Sequence, residues 1–154
     1  MTSRIALAGL LADPAIARAF AALDGDGEET RIVGGAVRNA LIGKPTNDVD
    51  MATTATPDIV MRRAQDAGLR CVPTGFEHGT VTVVVAGRPF EVTSLREDVE
   101  TDGRRAKVRF GRDFDADARR RDFTINSMSL TSDGVLHDPL GGEADLAARR
   151  VRFI

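Results

Sequence analysis

The chain has no tryptophan, no tyrosine, one cysteine and two histidines among its 154 residues. Each shortage closes a route. Without Tyr or Trp, a surface that holds single-stranded nucleic acid by stacking bases on aromatic rings is not apparent. One thiol, Cys71, permits neither an intramolecular disulfide nor a cysteine-rich zinc site, and a reducing, cytoplasmic setting fits it best. Cys71 falls in a predicted strand with no identifiable base beside it and reads as core packing. His78 and His137 lack metal-ligand spacing and read as ordinary turn or core residues. Neither sign of charge dominates: 21 Lys and Arg stand against 23 Asp and Glu, for a net charge of −2. Any contact with RNA must therefore be local. No apolar run is long enough to span a bilayer. Residues 5–12 resemble the core of a signal peptide, but Asp13-Pro14 interrupts them. Ile16, Phe20 and Leu23 then continue at helical spacing, so the N-terminus reads as an amphipathic helix packed on the domain.

An apolar content of 42% over this length is enough for one globular domain with its own core. After a polar loop at residues 24–29, residues 31–33 read as a short strand, Gly34-Gly35 as a turn and residues 36–42 as a helix closed by Gly43 and Pro45. Residues 48–54 alternate like a half-buried strand. A helix starts at Thr56-Pro57 and stops at Gly68, and residues 69–73 form another strand. Residues 80–86 and 89–95, rich in Val, Thr and Phe, predict a β-hairpin. Residues 96–112 are charged, weakly periodic and read as a mobile loop. A helix is expected over 123–130, a short strand over 135–137, a turn at 138–142, a helix over 143–149 and a last strand over 151–154. Helices mixed with a sheet that contains an antiparallel hairpin give an α+β (mixed α/β) architecture. Residues 1–30 are expected to supply an N-terminal helix and loop, and residues 31–154 the main fold.

Asn47-Asp48-Val49-Asp50-Met51 is the strongest chemical signal. On a strand, residues two apart share a face, so Asp48 and Asp50 point together while Val49 and Met51 face the core. Two adjacent carboxylates repel unless a cation sits between them, and Mg²⁺ with oxygen ligands is the usual solution. Two-metal phosphoryl chemistry needs a further carboxylate on a neighbouring element. Glu91 is the candidate, on a predicted strand between apolar Phe90 and Val92 and on the same face as Thr93.

Gly34-Gly35-Ala36-Val37-Arg38 sets two glycines between a strand and a helix, where backbone N–H groups can approach an anion. Arg38, in the first turn, opposes the helix dipole, a cost more easily understood if an anion binds nearby. The motif is neither a Walker-type loop nor a dinucleotide fingerprint. Arg119-Arg120-Arg121 leads into the predicted helix at 123–130, and planar guanidinium groups suit triphosphate oxygens. Asp122 is expected to orient a neighbouring arginine, with Asn126 one helical turn beyond on the same side. Arg104, Arg105, Lys107, Arg109 and Arg112 add a basic stretch that could touch an RNA backbone.

Taken in order, these motifs resemble the catalytic head of the class II CCA-adding enzymes and bacterial poly(A) polymerases, within the polymerase-β-like nucleotidyltransferase superfamily. The resemblance runs from Arg31 to Ile154 through the glycine motif, Asn47-Asp48-Val49-Asp50, Thr74-Gly75-Phe76-Glu77-His78-Gly79-Thr80-Val81-Thr82-Val83, Phe90-Glu91-Val92-Thr93, Arg120-Arg121-Asp122-Phe123-Thr124-Ile125-Asn126 and Asp138-Pro139-Leu140-Gly141-Gly142. It implies that Asp48 and Asp50 hold catalytic Mg²⁺, that Glu91 is the third carboxylate, and that Gly34, Gly35, Arg38, Arg121, Asp122 and Asn126 serve the nucleotide. The implied reaction is attack of an RNA 3′-hydroxyl, that of a tRNA above all, on the α-phosphorus of CTP or ATP. The segment from Gly75 to Val83 favours CCA addition over polyadenylation; a noncatalytic nucleotide- or RNA-binding module of the same fold is the other alternative. Two departures stand out. Arg38-Asn39 and Asn47-Asp48 replace an Arg-Asp and a Lys-Asp-x-Asp common in the family. The neck, body and tail regions of the family are not in this sequence, and Glu97-Asp98 lacks the arginine of the base-selecting motif.

Overall fold

The structure, a computed structural model, describes residues 2–97 and 109–154. Arg104, Arg105 and Lys107 of the basic stretch lie outside the described residues. Two helices open the chain, α1 (Thr2–Leu11) and α2 (Pro14–Leu23), where the sequence suggested one amphipathic helix. Pro14 cannot donate into a continuing helix but suits a first position, and Asp13 caps α2 by accepting the Ala15 N–H at 2.9 Å. Leu7, Ile16, Phe20 and Leu23 are buried in the same cluster as the sheet's inner residues. No single helix among the described residues is long and apolar enough to cross a membrane.

The remaining elements follow as β1 (Thr30–Val33), α3 (Gly35–Leu41), β2 (Val49–Thr53), α4 (Pro57–Asp66), β3 (Arg70–Gly75), β4 (Thr80–Val85), β5 (Arg88–Ser94), β6 (Arg96–Glu97), β7 (Arg109–Phe110), α5 (Phe114–Arg119), β8 (Ser129–Thr131), β9 (Leu136–His137) and α6 (Gly142–Ala147). Seven strands form one sheet in the order β3-β4-β5-β2-β1-β8-β9. β2 and β5 run parallel, and the other paired neighbours are antiparallel. This is the expected α+β architecture. In the β4–β5 hairpin Val81, Val83, Val85, Phe90 and Val92 turn into the core and alternate with Thr80, Thr82, Glu91 and Thr93 on the open face. At its tip Ala86 and Gly87 have φ of 51° and 78°, the two positive values that a tight turn matched to the strand twist requires.

The tip is also tied to α2. Arg88 Nη1 donates to Asp13 Oδ2 at 2.7 Å, and this contact, with the Ala15 N–H, holds the Asp13 carboxyl below its ordinary range. A carboxyl lowered on folding contributes stability above its ordinary pKa and loses it as pH falls through the folded value. Asp13→Ala is therefore expected to cost about 1 kcal/mol near neutral pH, and the difference from wild type should shrink in acid. Urea melts at both pH values check it.

Three expectations need correction. Residues 96–112 do not form a loop at their ends, because Arg96 pairs with Phe110 and Glu97 with Arg109. The helix expected over 123–130 is absent: Phe123 is extended, Thr124–Asn126 make one 3-10 turn, and Ser129–Thr131 form β8. The reason is pairing on both sides. Leu130 stands opposite Ile32 of β1 and Leu136 of β9, so its backbone is committed to the sheet. The helix here is α5, capped by Asp113, whose Oδ1 accepts from the N–H groups of Asp115 and Ala116. The last strand reduces to one bridge, Phe123 opposite Phe153, with ring centroids 5.0 Å apart.

Candidate active site

The carboxylates follow from strand parity. Val49 and Met51 are buried in β2, which turns Asp50 out to the open face, and Asp48 just ahead of the strand is exposed beside it. The parallel pairing sets Asp50 directly opposite Glu91 of β5, and the antiparallel pairing sets Glu91 opposite Thr82 of β4. Asp48, Asp50, Thr82, Pro89 and Glu91 line a hollow of ≈ 340 Å³. A second hollow of ≈ 220 Å³ also has Asp50 and Glu91 in its wall, together with Thr93, Arg96, Asp117 and Arg121. The carboxylate pair thus forms a ridge between an acidic hollow and a hollow that carries arginines. Partial desolvation raises the Asp50 pKa above 3.8, Glu91 and then Asp48 adding to it by like-charge repulsion while Arg121 opposes them.

The glycine turn meets the arginines from the other side. Gly34, ahead of α3, has φ 72° and ψ −136°, a conformation that disfavours any side chain. A Cβ there would lie 3.3 Å from Arg121 Nη1, and one on Gly35 would lie 3.2 Å from Arg38 Nη2. Both cations therefore rest on bare backbone. Arg38 Nη1 donates to Asn126 Oδ1 at 2.6 Å. Asn126 Nδ2 in turn donates to Asp122 Oδ1 at 3.3 Å, and the Phe123 N–H to the same oxygen at 2.8 Å. These two bonds, Asn126 first, hold the Asp122 carboxyl below its ordinary range.

The structure brings Asp48, Asp50, Glu91 and Arg121 together on the open face and Gly35, Arg38, Asn126 and Asp122 into a second group joined to the first through Gly34, with two adjustments. Asn126 reaches Asp122 across a 3-10 turn rather than along a helix. Asp122 is joined through Asn126 to Arg38, while the adjacent Arg121 donates from Nη2 to another acid, Asp117 Oδ2, at 3.1 Å. Asp117 was missed, although an acid four residues ahead of an arginine is the available signal. Arg31 was also missed, being read only as the start of a strand. Its guanidinium lies 3.9 Å from the centre of the Phe114 ring, Nε donates to Glu29 at 2.8 Å and Nη1 to Ser129 Oγ at 3.2 Å. It clamps β1 to the start of α5, and so fixes the glycine turn relative to Asp117 and Arg121.

Among the described residues no three His, Cys, Asp or Glu side chains close a metal cage. The donors nevertheless suit a hard divalent cation: they are carboxylate oxygens only, and, after the burial that is the first cause of the raised Asp50 pKa, Glu91 and Asp48 add a like-charge repulsion that a cation would relieve. Small hard ions of this kind take one or two carboxylates and complete their shell with water and substrate phosphate.

Paired carboxylates on adjacent strands facing a glycine turn and two arginines, on a mixed sheet flanked by helices, define the polymerase-β-like nucleotidyltransferase fold. The chain matches the poly A polymerase head domain over residues 30–152 and belongs to that family. It is 53% identical over 127 residues to a protein of Danio rerio named CCA tRNA nucleotidyltransferase 1, mitochondrial, a match covering 82% of this chain and 30% of that protein. It is 40% identical over 127 residues to the CCA-adding enzyme of Bacillus cytotoxicus, covering 81% of this chain and 31% of the relative. The structure of the Bacillus stearothermophilus CCA-adding enzyme in complex with CTP superposes with TM-score 0.76 at 36% identity, over 92% of this chain and 34% of that one. A tRNA nucleotidyltransferase complexed with a primer tRNA and an incoming ATP analog gives TM-score 0.66 at 32% identity, over 82% of this chain and 36% of that one. The chain spans about a third of the length of these relatives.

Proposed function

We propose that this chain is the catalytic head of a template-independent RNA nucleotidyltransferase that adds CCA to tRNA 3′ ends from CTP and ATP. The observation that carries the proposal is the ridge of Asp50 and Glu91, with Asp48 beside it, facing Arg121, Arg38 and the Gly34-Gly35 turn. Asp48 and Asp50 hold Mg²⁺, and Glu91 is the third carboxylate. The bound metal would supply Lewis-acid activation of the attacking hydroxyl and of the pyrophosphate leaving group. Arg121 and Arg38 neutralise the triphosphate, and the glycines let its oxygens reach backbone N–H groups. Asp122 and Asn126 serve the nucleotide by holding Arg38 in place, and Asp117 does the same for Arg121. The cytoplasm, as the compartment, is part of the proposal and is supported by the free thiol of Cys71, while vertebrate relatives carry a mitochondrial name.

Calorimetric titration of CTP, ATP and GTP with and without Mg²⁺ tests the reading. Binding is expected to require Mg²⁺ and to fall at least ~10-fold in Asp48→Ala and in Arg121→Ala, as loss of a charge-assisted contact predicts. Equal binding without metal, or no effect of either substitution, would overturn it. The name of the matched domain favours polyadenylation as a second reading. Incorporation of ATP but not CTP onto an RNA 3′ end would support that instead.

A further inference from the structure

The open face of the sheet presents one row across four strands. Thr82 stands opposite Glu91, Glu91 beside Asp50, and Asp50 opposite Val33, the residue before the glycine turn. The carboxylates divide this row. On the β1 side lie Gly34, Arg38 and Arg121. On the β4 side lies the ≈ 340 Å³ hollow, whose lining among the described residues is Asp48, Asp50, Glu91, Thr82, Val49 and Pro89, with no cation among them. An acidic hollow repels a triphosphate but accepts neutral hydroxyl groups. In-line displacement also requires the nucleophile to enter opposite the leaving group. With pyrophosphate on the arginine side, the acceptor nucleoside belongs in the hollow bordered by Thr82.

We propose that Thr82 binds the 2′-hydroxyl of the acceptor strand's terminal ribose, so that the hollow at β4 and β5 is an acceptor-ribose subsite. The proposal rests on the function argued above. A ribose carries its two hydroxyls side by side. When the 3′-hydroxyl faces Asp48 and Asp50, its neighbour falls toward the next strands over, where Thr82 projects. Thr82 is half-buried, and its Oγ1 lies 2.8 Å from Thr74 Oγ1. A hydroxyl has one donor and two acceptor positions. With Thr74 as donor in that contact, the Thr82 O–H is left to donate to the ribose, and Thr74 sets its direction. The subsite would distinguish an RNA end from a DNA end.

The test uses this chain, Mg²⁺, a nonhydrolysable CTP analogue and two short acceptor-stem RNAs that differ only in the terminal 2′-hydroxyl. Wild type is expected to bind the ribose-ended RNA about 5- to 10-fold more tightly than the 2′-deoxy-ended one, the worth of one hydrogen bond. Thr82→Val should abolish that ratio and Thr82→Ser should keep it, with binding of the analogue unchanged in all three proteins. If the analogue binds normally and Thr82→Val discriminates as wild type does, or wild type does not discriminate at all, the subsite is wrong. Failure of the wild type to bind the analogue with Mg²⁺ would instead remove the function reading, and the subsite with it.

Discussion

Asp50→Asn is expected to abolish the proposed nucleotide transfer and yet stabilise the metal-free protein. Transfer should fall by about 10³-fold or more, equivalent to ~4 kcal/mol of transition-state stabilisation, because the amide keeps the shape of the side chain but gives up the charge that holds a cation. Stability should move the other way. Desolvation, Glu91 and Asp48 raise the Asp50 pKa above 3.8 on folding. A carboxyl raised on folding penalises the native state once it ionises: the cost is absent below 3.8, grows as pH climbs through the folded value and is complete above it. The amide never ionises. Its Tm should therefore exceed that of wild type near neutral pH in a chelator, and the gap should close in acid. Added Mg²⁺ should raise the Tm of wild type and leave Asp50→Asn nearly unmoved. A variant that lost activity with an unchanged or lower Tm at neutral pH would mean that Asp50 is not under the repulsion described.

Gly142→Ala is the second large effect, and it arises away from the chemistry. A Cβ at Gly142 would come within 2.2 Å of the Thr124 carbonyl oxygen, 3.0 Å of its carbon and 3.2 Å of Met128 Cγ. The first two are backbone, so no side-chain rotation relieves them. Thr124 is also held in place: its Oγ1 donates to buried Asp145 at 2.5 Å and its N–H to the Arg152 carbonyl at 3.1 Å. The collision must push the Thr124–Asn126 turn, and Asn126 is the partner of Arg38. A loss of about 3 kcal/mol is expected, at the upper end for overpacking, with nucleotide binding weakened ~10-fold through Arg38. Denaturant melts and calorimetry check both. Gly9→Ala, in the last turn of α1 where a Cβ meets nothing within 4 Å, is the control and should be neutral or slightly stabilising.

What could be read from the sequence follows the range of the forces involved. Asp48 and Asp50 were legible because strand parity is local: buried Val49 and Met51 dictate which way their neighbours face. The hairpin was legible because two runs rich in Val, Thr and Phe flank a short turn, with Val81 and Val83 alternating with Thr80 and Thr82. The segment from Phe123 to Leu130 was not, because its conformation is decided by strands distant in sequence. Leu130 joins the sheet only because Ile32 and Leu136 lie on either side of it. α5 was hidden by its charge, although acids in its first turn and a capping aspartate are favourable signals at a helix start. Asp117 and Arg31 escaped for a related reason: each acts on a site residue through a contact that exists only after the chain has folded.

The single parallel pair in the sheet has a consequence for the order of folding. Antiparallel neighbours can zip from a tight turn, as β4 and β5 can from Ala86-Gly87, but β2 and β5 need a crossover, and all of α4, β3 and β4 lies between them. Non-local pairings of this kind form slowly, because loop closure comes before any contact rewards it. Asp50 and Glu91 therefore meet only when that crossover closes. Until then each is an isolated acid in water, and the repulsion between them is acquired in the same late event.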